Sequence, residues 1–170
     1  DNDRDGCSNA NDNDDDNDGI DDSTDNCIYV ANPGQADYDS DSASLGFGFS
    51  GDACDDDDDN DTVVDIVDDC HFGNLGWISG AFTDHDGDGC EDNSSEDLDD
   101  DNDNRLDTQD DCHFGSIGWD STDPSQDYDE DGCEDSGEDL DDDNDSVQDV
   151  NDNCPKGEKN WNPTLANDYD

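Results

Sequence analysis

The chain has 170 residues, of which 57 are acidic and 4 basic, giving a formal net charge of −53, and 26% are hydrophobic. Such a chain repels nucleic acid and anionic membrane surfaces, and divalent cations are its natural counter-ions. It cannot bury enough apolar surface to offset chain entropy, so a conventional core is excluded and order must come from elsewhere.

Taken in order, the chain opens on Asp1, Asp3 and Asp5 followed by Gly6-Cys7, a short D-x-D-x-D-G-C motif. The short motif recurs at Asp84, Asp86, Asp88 and at Asp127, Asp129, Asp131, with a degenerate copy at Asp37, Asp39, Asp41. Between the copies runs a longer motif, D-x-D-x-D-x-x-x-D-x-x-D-[ND]-C. Alternate carboxylates at positions 1, 3 and 5, then 9 and 12, are how a short loop wraps oxygens around one Ca²⁺. The first copy offers Asp14, Asp16, Asp18, Asp22 and Asp25; the second offers Asp57, Asp59, Asp61, Asp65 and Asp68. The third offers Asp99, Asp101, Asp103, Asp107 and Asp110; the fourth offers Asp141, Asp143, Asp145, Asp149 and Asp152. Position 7 (Ile20, Val63, Arg105, Val147) would lend a backbone carbonyl. The short motifs draw later ligands from Asp92 or Asp135 and from Asp12, Asp55, Asp97 and Asp139, which stand two residues before the next long motif. At one ion per motif, at least about eight Ca²⁺ are expected. A merely solvating acidic run explains neither the register nor the preference for Asp over Glu.

An EF-hand is the nearest competitor. It fails because Cys, Gly and Pro flank the loops in place of helical periodicity, and Glu is missing at position 12. Glycine at position 6 is kept only at Gly19; Thr62, Asn104 and Ser146 replace it. Two of these changes create the sequons Asn60-Asp61-Thr62 and Asn144-Asp145-Ser146, and Asn93-Ser94-Ser95 is a third, so glycosylation is expected at Asn60, Asn93 and Asn144.

Cys70, Cys112 and Cys154 recur at the same constant interval as Trp77, Trp119 and Trp161. This periodicity divides the chain into a partial repeat at 1–26, a repeat with an insertion at 27–69, repeats at 70–111 and 112–153, and the start of another at 154–170. The fold expected is irregular and extended, with little regular secondary structure; Val63 to Val67 is the most β-prone stretch. Eight cysteines in a loop-rich chain favour disulfides and an extracellular or cell-surface setting. Zinc is disfavoured, since no C-x-x-C or H-x-x-x-H spacing occurs. The tryptophans, with Phe72 and Phe114, are expected to cover the disulfides in small clusters.

The segment Asp14 to Asp69 resembles thrombospondin type 3 repeats. D-D-D-N-D-G-I-D-D-S-T-D-N-C, then A-N-P-G-Q-A-D-Y-D-S-D, then G-D-A-C-D-D-D-D-D-N-D follow that family's pattern. The C-H-F-G-x-x-G-W units, the insertion at Ser42 to Ser50 and the lost position-6 glycines depart from it. The resemblance implies a chain wound around a row of calcium ions. It also implies the pairs Cys27–Cys54, Cys70–Cys90 and Cys112–Cys133, leaving Cys7 and Cys154 for other partners. A rival register is Cys7–Cys27, Cys54–Cys70, Cys90–Cys112 and Cys133–Cys154.

The functional expectation is a structural calcium-binding repeat protein: a stalk, matrix element or surface fibre. The chain begins at Asp1 and stops in Asn167-Asp168-Tyr169-Asp170, like the start of a short motif, so it reads as a mature chain or a segment of a longer one. Both ends, with Cys7 and Cys154, suggest copies joined head to tail or flanking repeats. The alternative is a calcium-dependent adhesion module binding glycan or protein; a calcium buffer is a third reading. No nucleophile or phosphate-loop motif is present, no enzyme is expected, and no apolar run is long enough to insert into a membrane.

Overall fold

The computed structural model describes residues 2–41 and 50–161. Asp1, nearly all of the insertion and the closing Asn167 to Asp170 lie outside the described residues. Among the described residues there is neither helix nor strand, only turns and bends. Val63 to Val67 forms a turn closed by the Val67 N–H on the Val64 carbonyl at 2.9 Å.

The cause is local competition for backbone donors. Aspartate carboxylates accept the N–H two residues further on, as in Asp5 N–H to Asp3 at 3.1 Å, Cys7 N–H to Asp5 at 2.7 Å and Ile20 N–H to Asp18 at 2.8 Å. Each such bond commits an amide that a helix or sheet would need. The buried hydrophobic residues are Cys27, Cys90 and Cys133 alone among the described residues, whereas many aspartates are buried, several of them completely. The usual partition of side chains is thus inverted.

The chain forms two units: Asp1–Gly80 with Gly87–Glu91, and Ala81–Asp86 with Asp92–Asp170. Disulfides Cys27–Cys54 and Cys70–Cys90 lie in the first unit and Cys112–Cys133 in the second. They are the pairs that the resemblance implies, and the rival register does not form. Cys7 and Cys154 are exposed and unpaired.

Beside these bonds runs a side-chain clasp. In the first unit the Tyr38 hydroxyl donates to the Gly73 carbonyl at 2.9 Å and its ring meets Phe72 edge-on at 5.3 Å. In the second unit His85 Nε2 bonds the Gly115 carbonyl at 2.9 Å, with its ring edge-on to Phe114 at 5.7 Å. A carbonyl only accepts, so that nitrogen carries the proton. The Tyr128 hydroxyl donates to the Gly157 carbonyl at 2.8 Å. Phe72 and Phe114 therefore pack on Tyr38 and His85, and on the adjacent His71 and His113. Trp77 and Trp119 are half-buried, each with an indole N–H that has no hydrogen-bond partner.

Candidate metal centre

All four long motifs share one hydrogen-bond frame. The position-6 N–H donates to Oδ2 of position 1: Gly19 to Asp14 at 3.0 Å, Thr62 to Asp57 at 3.1 Å, Asn104 to Asp99 at 3.1 Å and Ser146 to Asp141 at 2.8 Å. The position-7 N–H donates to Oδ1 of position 5, at 2.8, 2.6, 2.7 and 2.7 Å in chain order. The N–H of the closing cysteine donates to Oδ1 of position 12, at 2.8, 2.6, 2.6 and 2.8 Å. At least one oxygen of each of these carboxylates is thereby fixed by backbone; Asp18, Asp99 and Asp141 use both, whereas in Asp14, Asp57, Asp68, Asp103 and Asp110 the second oxygen takes no hydrogen bond.

Those second oxygens are where a cation is called for. Buried oxygens of Asp14 and Asp57 at position 1, Asp16 at position 3, Asp103 at position 5, and Asp68 and Asp110 at position 12 have no hydrogen-bond partner. Ligand oxygens of Asp14, Asp16 and Asp18 lie within 4.8 Å of one another, as do those of Asp57, Asp59 and Asp61, and of Asp37, Asp39 and Asp41. Burial and like charge raise the carboxyls: Asp68 to about 6, Asp103 to about 6 and Asp110 to about 7. Apart from burial, the charges that raise Asp68 are those of Asp61 and Asp59, and those raising Asp110 belong to Asp101 and Asp103. Position 12 thus closes on positions 3 and 5. A hard, all-oxygen donor set of this kind suits Ca²⁺ and not a thiolate or imidazole metal.

The short motif at Asp127 adopts the same loop with cysteine at position 7, and the copy ending at Cys90 shares its closing bond. Gly132 N–H donates to Asp127 Oδ2 at 3.1 Å, and Cys133 and Cys90 N–H groups donate to Asp131 and Asp88 at 2.9 Å each. Asp12, Asp55, Asp97 and Asp139 each accept the N–H of the next position 1, at 3.4, 3.1, 3.0 and 2.9 Å. Asp12 also groups with Asp5 and Cys7 within 4.8 Å. Asp139 keeps a buried oxygen without a partner, and its charge helps push Asp129 to about 7, after burial and Asp131. The unit boundary falls inside 84–88: Asp84 is buried and Asp86 half-buried in the second unit, and Asp88 is half-buried in the first.

Position 9 does something different. Its Oδ1 accepts the position-2 N–H: Asp15 to Asp22 at 2.9 Å, Asp58 to Asp65 at 2.9 Å, Asp100 to Asp107 at 2.8 Å and Asp142 to Asp149 at 3.0 Å. The same bond closes the short loops: Tyr38 to Asp52 at 2.7 Å, His85 to Asp92 at 3.0 Å and Tyr128 to Asp135 at 2.9 Å. Asp52 therefore supplies, across the insertion, what Asp92 and Asp135 supply elsewhere. Sequence reasoning passed over Asp52 because its cysteine follows it, whereas Cys90 and Cys133 precede theirs. The Gly51-Asp52-Ala53-Cys54 run was the available signal. Asn32 and Gln35 were also missed: Gln35 Nε2 donates to Asp25 Oδ1 at 2.7 Å and Asn32 N–H to Asp18 Oδ2 at 2.8 Å.

The sequon asparagines divide. Asn60 and Asn144 occupy position 4, have φ of 60° and 53°, and donate their side-chain amides to Asp39 and Asp131. Asn17 and Asn102, which are not sequons, make the same bond to Asp3 and Asp86. Asn93 is exposed, outside that frame, with φ of 57°.

Loops of buried carboxylates held by backbone amides and stapled by disulfides define a calcium-binding repeat module. Residues 1–35 and 48–73 match the profile of the thrombospondin type 3 repeat, and these segments are thrombospondin type 3 repeats. The same loop frame recurs in the long motifs that begin at Asp99 and Asp141. No curated protein matches the chain.

Proposed function

We propose that this chain is a structural element whose order depends on calcium, working outside the cytoplasm as a stalk, matrix component or surface fibre. The observation that carries the reading is the buried carboxylate oxygen without a partner, repeated in the first three long loops. In each long loop, positions 1, 3, 5, 9 and 12 are assigned to the ion, with at least about eight ions on the chain. The ion supplies charge neutralisation; the backbone amides set the carboxylates around it. Repeats at 27–69, 70–111 and 112–153 are the mechanical units. Disulfides and millimolar calcium both belong to an extracellular setting. Exposed Cys7 and Cys154 are assigned to bonds with flanking repeats or with another copy. Glycosylation is assigned first to Asn93, because the amides of Asn60 and Asn144 already serve the loops.

A second reading, adhesion to a protein partner, draws on Phe82, Ile66 and Val150, which are 97%, 89% and 87% exposed. Calcium titration monitored by tryptophan fluorescence and by protease resistance tests the first reading. Calcium-dependent protection without any partner is the expected result, and a chain equally sensitive with and without calcium would contradict it.

A further inference from the structure

A cavity of about 460 Å³ opens on the second unit, between the third long loop and the segment that follows Trp119. Its size is within the range of small-ligand sites. None of the carboxylates assigned to calcium lines it, and no aspartate does, in a chain with 57 acidic residues and 4 basic ones. Its cation is Arg105, at the position that holds Ile20, Val63 and Val147 in the other long loops. The side chain is anchored twice. Its Nε–H donates to the Gln109 carbonyl, and its stem runs so close over Gly132 that a Cβ there would sit 2.7 Å from Arg105 Cδ. Among the described residues the ion pairs belong to Lys156 and Lys159, and no carboxylate pairs with the guanidinium. The one acid in the lining, Glu130, is engaged by Lys159 Nζ at 2.9 Å, which holds its carboxyl below the usual range.

A guanidinium held in one orientation is suited to a carboxylate, which it takes by two parallel N–H bonds. Beside it stand neutral hydrogen-bonding groups, the Gln109 carboxamide and the Thr122 hydroxyl, and two apolar walls, Leu106 and Pro124. The ligand that matches this lining has one carboxylate, several neutral hydroxyls and a C–H face, which together describe a uronic acid. The formal charge of −53 narrows the class further. A polyanion is repelled by the whole surface, whereas a single carboxylate among neutral sugars meets little of that repulsion. We propose that this cavity binds one uronic acid residue of an otherwise neutral glycan. Its carboxylate sits on the Arg105 guanidinium, its hydroxyls on Gln109 and Thr122, and its ring against Leu106 and Pro124. The inference goes beyond the structural reading and does not rest on it, because the calcium carboxylates take no part in the cavity.

A two-dimensional NMR titration of the intact, disulfide-bonded chain in millimolar calcium, with methyl glucuronide as the probe, tests it. Resonances of Arg105, Gln109 and Thr122 are expected to shift saturably. Methyl glucoside, which lacks the carboxylate, is expected to bind at least about tenfold more weakly. Arg105→Val installs the residue that the second and fourth long loops carry at this position, so calcium is expected to load as in wild type. Glucuronide affinity is expected to fall at least about tenfold in that variant. Gln109→Ala keeps the carbonyl that anchors Arg105 and is expected to weaken glucuronide several-fold. Equal affinity for glucoside, no saturable shift in the wild type, or an unchanged affinity in Arg105→Val overturns the proposal and leaves the calcium reading standing. N-acetylglutamate binding as tightly as glucuronide overturns the sugar in favour of an acidic peptide. Where Arg105→Val fails to load calcium, an unchanged affinity in Gln109→Ala overturns the proposal in its place.

Discussion

Thr62, Asn104 and Ser146 stand at position 6 with φ of 87°, 77° and 76°, where Gly19 has 97°. Left-handed backbone is costly for a side chain with Cβ, and most costly for a β-branched one. Thr62→Gly should therefore stabilise the calcium-loaded chain by about 0.5–1 kcal/mol, after the loss from a freer unfolded state. A thermal melt in calcium checks the direction; a lower midpoint would mean that the Thr62 side chain contributes more than its strain costs. Protonation acts at the same scale. Burial, followed by neighbouring carboxylates, lifts Asp110 to about 7 and Asp129 to about 7 from an ordinary 3.8. Between about pH 4 and pH 7 the folded, metal-free chain binds more protons than the unfolded one. Its stability is thus greatest below that window and is lost as pH rises through it. Calcium reverses the sign, because it binds the deprotonated carboxylates. In chelator the chain should be more ordered at about pH 5 than at about pH 8, and apparent calcium affinity should fall as pH is lowered across the same range. Parallel fluorescence titrations read both slopes.

At the scale of the loop, glycine before the cysteine of the two later short motifs, Gly89 and Gly132, is a packing requirement. A Cβ on Gly132 would sit 2.2 Å from Asp110 Oδ1, and φ there is +94°. Gly89 stands in the same relation to Asp68, at 2.2 Å with φ +89°. Gly132→Ala should displace Asp110, weaken calcium at the third long motif about tenfold or more, and leave the first unit unaffected; calcium titration with fragment-resolved hydrogen exchange shows which loops respond. Reducing Cys112–Cys133, which spans 21 residues, should remove roughly 3 kcal/mol from that unit. The loops were legible in sequence because a calcium loop's donors are local, and their spacing repeats whatever the surroundings. The fold class followed from the same fact, since a chain of Asx turns needs neither helix nor sheet. What spacing could not show is which carboxylates from different loops meet. Asp52 was hidden by the insertion. The Tyr38, His85 and Tyr128 clasps were hidden because each joins residues about thirty apart in sequence. The disulfides came from the resemblance, since cysteine spacing alone left two registers open.

On the scale of the whole molecule, apolar burial contributes little. Among the described residues the buried hydrophobic side chains are cysteines, while Ile66, Phe82 and Val150 face solvent. With a formal charge of −53, the metal-free chain is held by three disulfides against its own repulsion. Hydrodynamic radius by sedimentation velocity, in millimolar calcium and then in chelator with the disulfides intact, tests the central claim most directly. The account predicts a marked expansion on chelation that calcium reverses. A radius unchanged by chelator would contradict it, because the fold would then stand without the ions to which its buried carboxylates are assigned.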